Sequence, residues 1–351
     1  MVYHIKQNDT FDLVKFILAI FVAAIHLISF DRIGVVGKLV FPVLRTAVPL
    51  FFMISAYFFF DKINRTPKES HLSILRKTLL RNTELYLFWL IVLFYEVNNY
   101  RGYFKSGFLN GLKVLVWEFL FGTTFTASWY IMATIIGLAV IYGLSRMVSN
   151  KWLLAFGGLA YTLCVLMTNY GNLPLIREHI MWPVWKLPLT WVPYNSFPVS
   201  FLWLAMGKCF ADNKEMLYLG KKSAQLLSIF AAGILLYVEQ FLIIKLHSDF
   251  RSDCYFMLVP LCGLIFSLIL HLKLVIHGAK KLRAFSTITF CLHATLAETI
   301  VAVLSKFGLM NWSFRYSVLK WFAILVLCGV ATLMILGLER RKGFRWLRFA
   351  H

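Results

Sequence analysis

The stretch FDLVKFILAIFVAAIHLISF, residues 11–30, decides the fold, because in twenty positions it carries only Asp12, Lys15 and His26 as ionisable residues. At a rise of 1.5 Å per residue, about 20 apolar residues cross the hydrocarbon core of a bilayer. In lipid every backbone amide must be satisfied within its own segment, so the stretch reads as a membrane-crossing helix. It is too long for a signal-peptide core and no small-residue cleavage site follows, so a retained first span is expected.

Blocks of the same kind recur along the chain. The expected spans are 11–30, 36–60, 84–98, 126–146, 152–168, 196–212, 223–246, 254–276, 286–306 and 316–338. Their lengths exclude barrel strands, which would be roughly half as long. The fold class is therefore an all-α integral membrane protein, a bundle of about ten transmembrane helices forming one domain over residues 1–351. Composition agrees, with 60% hydrophobic residues, 15% charged residues and a mean hydropathy of +0.73. A soluble domain would be about half apolar and a quarter charged. Residues 107–122 mix Lys113 and Glu118 with Phe, Leu, Val and Trp, which suggests a helix lying on the membrane. Segment 169–195, with Pro174, Pro183, Pro188 and Pro193, reads as an irregular loop hugging the membrane.

The net charge of +20 does not point to nucleic acid, because the lysines and arginines sit in short loops between apolar blocks. There they act as topology signals. With the N-terminus placed inside, inner segments hold 21 of them (Lys6 first) and outer segments 11; Lys15, Arg45, Lys208 and Lys320 fall within spans. That bias favours a multi-pass protein of the cell membrane with both termini cytoplasmic. The six cysteines lie in or beside apolar runs without metal-ligand spacing and read as small buried hydrophobes. No Walker loop, HExxH or GxSxG is found, and no bound cofactor or metal is expected.

Within the first span, Lys15 and His26 differ by eleven residues and so share a helical face to within about 20°. A histidine in a lipid span is costly and usually faces a bundle interior or a wet cavity. Asp12 lies on the same face but about 21 Å away along the axis, too far to orient His26 directly. The stripe places a cation at the cytoplasmic mouth and an imidazole about 16 Å deeper. That layout suits an elongated ligand with an anionic head and a reactive tip, such as coenzyme A. It equally suits a packing histidine and a snorkelling lysine.

These residues, Asp12-x-x-Lys15 followed by His26, resemble the opening of the membrane-bound acyltransferase-3 family. The run from Arg45 through Pro49 to Ser55-Ala56-Tyr57 is similar to that family's second-helix signature, with Ala56 in place of the usual Gly. Trp129-Tyr130 opening the fourth span, and Ser286 to His293 in the ninth, extend the resemblance over roughly 11–300; Phe290 stands where the family commonly has Tyr. Arg81 with Leu85-Tyr86 fits the second arginine of an Arg-x-x-Arg motif whose first position is Thr78, flanked by Lys77.

The resemblance implies transfer of an acyl group, often acetyl, from cytoplasmic acyl-CoA to an acceptor hydroxyl, commonly of a cell-surface or lipid-linked glycan. His26 would be the essential histidine, either as base or as acyl carrier. Arg45, at a depth overlapping His26, would hold an oxyanion or an anionic acceptor. Lys15, Lys77 and Arg81 would contact the donor phosphates, and Trp129 and Tyr130 the acceptor. Positive-inside signalling and an aromatic belt explain the last two groups without a ligand. His293 and Glu298, five residues apart, are offset by about 140° and should not face one cavity together. A secondary transporter or lipid-linked glycan flippase would also line a cavity with His26, Arg45 and Glu298. Paired Gly/Pro interruptions in both halves of the chain would favour it, and none is evident; nor is an internal repeat. A sensor or scaffold leaves the Lys15–His26 stripe without a purpose.

Overall fold

The computed structural model describes residues 9–186 and 192–351, leaving Lys6 and Pro188 outside the described residues. The chain runs α1 (Asp9–Leu27), α2 (Val35–Leu44), α3 (Ala47–Asn64), α4 (His71–Val92), α5 (Phe94–Arg101), α6 (Phe108–Phe121), α7 (Ser128–Leu144) and α8 (Asn150–Thr168). It continues α9 (Pro174–Ile176), α10 (Trp182–Trp185), α11 (Phe197–Asp212), α12 (Lys222–Lys245), α13 (Leu258–His271), α14 (Ala279–Lys306), α15 (Met310–Arg315) and α16 (Ser317–Leu338). No strand occurs among the described residues. Six helical stretches are long and apolar enough to cross a membrane: 9–27, 35–64, 150–168, 222–246, 279–306 and 317–338; α7 and α13 are apolar but shorter. The expected crossings at 84–98 and 196–212 coincide with helix but do not reach that standard of length and hydropathy.

The packing centres on α11, which is buried along almost its whole length and touches α3, α7 and α8. Small residues let it approach so closely. A methyl group added at Gly207 would lie 2.4 Å from the Met53 carbonyl oxygen and 2.8 Å from the Ala56 Cβ. One added at Gly157 on α8 would lie 2.7 Å from the Leu202 Cα. Between apolar helices in lipid such close backbone contact is a main source of cohesion. Outer helices show the reverse pattern. Helix α16 has a mean hydropathy of 2.5 with 17% buried, whereas α1 has 2.0 with 50% buried. The most apolar helix thus leaves most of its surface uncovered by the rest of the chain, the pattern that a lipid-facing helix requires. All six cysteines are free and buried, as their apolar settings imply.

Residues assigned to one side of the membrane meet one another. At the Lys15 end of α1, Arg283 grips Asp12 through two hydrogen bonds of 2.8 and 2.7 Å. The Thr10 hydroxyl donates to the Leu272 carbonyl, and the Leu274 and Ile276 amides donate to Thr10 and Asp9. The chain before α14 is thereby laced to the start of α1, and the two helices run parallel. On the same side, Asn64 donates to Asp212, and Lys208 joins Asn150 and Asp212.

Several boundaries differ from the sequence reading, among them that of α14, which begins at Ala279 and not at 286. Helix α4 begins at His71, so Arg76, Lys77 and Arg81 ride on a helix and not in a 61–83 loop. Lysine and arginine are good helix formers, and hydropathy marks where apolar residues begin rather than where the helix does. The expected 84–98 span is divided by a turn at Leu93. Within 169–195, residues 174–185 wind into short α and π turns. The expected 36–60 span breaks at Arg45-Thr46, between α2 and α3. Pro49 has no amide hydrogen to give the Arg45 carbonyl, so the i→i+4 ladder lapses there. Beside the break, the Thr46 hydroxyl donates at 2.7 Å to the Val43 carbonyl, which also accepts the Thr46 amide.

Glu239 on α12 joins two elements that share no ladder. Its two carboxylate oxygens accept the amides of Phe256 and Met257, each at 2.8 Å, just before α13 begins. These first-turn amides have no partner within the helix. Glu239→Ala should lower stability in detergent by about 2 kcal/mol, the scale of hydrogen bonds to a charged group. Glu239→Gln, which keeps one acceptor oxygen, should lose less. Equal melting midpoints for Glu239→Ala and the parent would show that water replaces the carboxylate.

Candidate active site

At the far end of α1 from Lys15, the last turn opens onto a cavity of about 400 Å³. His26 is exposed to this space although it lies in an apolar helix. Opposite it, the α2–α3 break presents Arg45. The same proline that interrupts the helix, Pro49, also lines the cavity.

Arg45 is not a lone cation. Its Nη2 lies 2.9 Å from Asp253 Oδ1, and Arg251 Nε lies 2.8 Å from Asp253 Oδ2. One carboxylate is therefore shared by two guanidinium groups, leaving one positive charge in excess beside His26. The Arg45 guanidinium also sits 4.6 Å from the centre of the Phe41 ring, and its Nε has no hydrogen-bond partner. Fixed by Asp253 and still holding free donors, Arg45 is placed to stabilise a developing oxyanion or an anionic ligand group. Glu239 steadies this side of the cavity, since the amides it accepts follow Asp253 by three and four residues.

The other wall carries the opposite charge. Glu96 and Glu298 line it with Arg101, whose guanidinium donates to the Thr123 carbonyl at 2.7 Å and approaches Glu118 at 3.7 Å. Tyr103 also donates to Glu118. Burial, and next the Glu118 hydrogen bond, hold the Tyr103 phenol well above its usual pKa, so it stays a donor.

Trp129 lines the cavity, but Tyr130 does not. Tyr130 packs between Phe52 (ring centres 4.5 Å apart) and Phe290 (5.0 Å), with its hydroxyl 3.2 Å from Ser55 Oγ. Two sequence motifs, on α3 and α7, are thus joined by one hydrogen bond. Phe290 fills its place by ring packing alone. Glu298 faces the cavity while His293 lies behind His26, as their angular offset on α14 implies.

Lys15, Lys77 and Arg81, the cations expected to meet a donor, lie apart from the cavity, at the other end of α1. Lys15 sits 5.4 Å from the Phe58 ring centre, and the charges of Asp12, Arg283 and Arg81 all bear on it. Lys77 is one helical turn before Arg81, and both are exposed. None of the three lines the His26 cavity. Sequence reasoning missed Asp253, Arg251 and Arg283. The first two sit in a loop, where no helical repeat marks which side chains turn inward. Arg283 meets a partner 271 positions away, which no local pattern announces.

The comparisons now have a geometry to meet. An acyltransferase-domain model matches residues 8–340, spanning both the cation group and the cavity. Two amino-acid racemases of Enterococcus faecalis are similar to the chain. One is 24% identical over 352 residues, covering 94% of this chain and 46% of the racemase; the other is 25% identical over 357 residues, covering 96% and 47%. The chain spans about half the length of these curated relatives. No solved structure matches. With one family's domain matched over nearly its full length, including Lys15, His26 and Arg45, the chain belongs to the membrane-bound acyltransferase-3 family.

Proposed function

We propose that the protein is a membrane O-acyltransferase that moves an acyl group, acetyl by preference, from cytoplasmic acyl-CoA to a hydroxyl of a cell-surface or exported glycan. The observation that carries this reading is a cavity-facing imidazole on α1 beside the Arg45–Asp253–Arg251 cluster. In direct transfer, neutral His26 takes the acceptor hydroxyl proton as the oxygen attacks the thioester carbonyl. Arg45 stabilises the oxyanion, the C–S bond breaks, and His26 returns the proton to the departing thiolate. In the covalent route the His26 lone pair displaces the thiolate from the thioester carbonyl to give an acyl-imidazolium; the acceptor hydroxyl then takes the acyl group, its proton passes to the thiolate, and neutral His26 is restored. Donor phosphates would be held by Lys15, Lys77 and Arg81 at the other end of α1, about 16 Å from His26. Trp129 would stack on the acceptor sugar, with Tyr130 shaping the wall behind it.

Against the transporter or flippase alternative stands the absence of a matching interruption in a second long span among the described residues; only the 35–64 span is broken. A moving-site mechanism built on repeats would call for a pair.

Purified protein in detergent, given acyl-CoA and a glycan acceptor, should transfer the acyl group. His26→Ala and His26→Gln should fold yet lose at least about a hundredfold of that rate, the lower range for general-base catalysis. A folded His26→Ala protein that transfers at the parental rate would overturn the reading.

Neutralising Lys77 and Arg81 together should raise KM for acyl-CoA and leave KM for the acceptor nearly unchanged, since phosphates are held by charge-assisted bonds. If membrane insertion alone falls, these cations serve topology.

The 21 to 11 bias in basic residues supports a topology with both termini in the cytoplasm. A reporter fused after position 351 should be active only if the enzyme it carries works in the cytoplasm. Activity of a periplasm-only or exterior-only reporter at that point would reverse every assignment of sides.

A further inference from the structure

Among the described residues, no carboxylate is hydrogen-bonded to His26 to orient it. Asp12 is engaged by Arg283 at the other end of the helix, and Asp253 is occupied by Arg45 and Arg251. A neutral imidazole acting as a base needs one ring nitrogen held as a donor so that the other presents its lone pair. What lies against His26 is a second imidazole. The rings of His26 and His293 have centres 5.3 Å apart and planes inclined by 34°.

The state of His293 follows from its own contacts. It is 1% exposed on α14, and its Nδ1 lies 2.9 Å from the Thr289 carbonyl oxygen. A carbonyl only accepts, so Nδ1 carries the hydrogen and the neutral ring keeps its lone pair on Nε2. That Nε2 is buried and has no hydrogen-bond partner. A buried acceptor left unpaired is costly and calls for an explanation. Protonating Nε2 would place an uncompensated cation in an apolar interior, which costs more.

We propose that His293 is the positioning residue for His26. Its Nε2 accepts the N–H of the His26 nitrogen turned away from the cavity and so fixes the tautomer whose other nitrogen faces the acceptor hydroxyl. The inference rests on His26 acting as the base or acyl carrier and adds the means by which its lone pair is aimed. Catalytic hydrogen bonds are often long before substrate binds, and a modest ring rotation closes the gap. When His26 takes the acceptor proton, the bond to His293 becomes charge-assisted and stronger. The proton then passes from His26 to the thiolate, and His293 ends the cycle unchanged, having donated nothing. Of the charged groups that line the cavity, Arg45, Asp253 and Arg251 bear on His26 and are committed to one another, while Glu96 and Glu298 line it with Arg101. His293, which does not line the cavity, is the acceptor on the other side of the ring.

The test uses the full chain in detergent or nanodiscs with histidine labelled by ¹⁵N. In the parent, His26 should show one fixed neutral tautomer; in His293→Phe it should show both. With acyl-CoA as donor, His293→Phe should lower kcat at least about tenfold, as loss of a supporting hydrogen bond typically does, with KM for the donor unchanged. His293→Gln, which returns an acceptor oxygen near the Nε2 position, should restore most of kcat. The idea is overturned if His26 already samples both tautomers in the parent, a result that needs no variant to fold. It is also overturned if folded His293→Phe keeps the parental kcat while His26→Ala is inactive. Full activity of His26→Ala would instead remove the base itself, and with it the function proposed above.

Discussion

The bidentate grip of Arg283 on Asp12 fixes how α1 lies against α14, and the cavity inherits its shape from that register. An ion pair with two parallel hydrogen bonds constrains direction as well as distance. Asp12 has its side chain 5% exposed while that of Arg283 is 35% exposed, so the carboxylate is desolvated and depends on its partner. Breaking such a pair from one side leaves a buried charge with nothing to meet it. With the helices pinned and parallel at this end, His26 and His293 come side by side further along. The cation group around Lys15 and the imidazole pair are thus two ends of one rigid ruler.

The opposite wall is built on a different principle. There a helix is allowed to fail. Pro49 removes one rung of the ladder at Arg45, and the freed turn carries a guanidinium into the cavity. An arginine inside an apolar span is tolerated only when it is paired, and Asp253 supplies the pairing from a loop that Glu239 holds in place. Arg45 is therefore positioned by Asp253 and, through it, Glu239, two residues 14 places apart on a distant part of the chain. Removing any one of the three disturbs the others.

Much of this was legible in the sequence, for physical reasons. The Lys15–His26 stripe follows from helix geometry alone, and the cost of charge in lipid marks Arg45 and His26 as residues with a purpose. The angular offset of His293 and Glu298 separated a cavity residue from one behind it. Periodicity could not show Asp253 or Arg251, because a loop has no repeat to read. Arg283 and Asp12 are each unremarkable locally, and only their meeting gives them meaning. The start of α4 was misplaced because an exposed basic helix and a basic loop have the same hydropathy. Tyr130 illustrates the opposite hazard, since its neighbour Trp129 faces the cavity while it faces Ser55.

The close approach of α3 and α11 has one last implication. Ala56 lies across from Gly207. A methyl group at position 207 would meet the Met53 carbonyl oxygen at 2.4 Å as well as the Ala56 Cβ at 2.8 Å, so shortening residue 56 to Gly would not make room for it. Gly207 is therefore the fixed member of this contact, and what position 56 can hold follows from it.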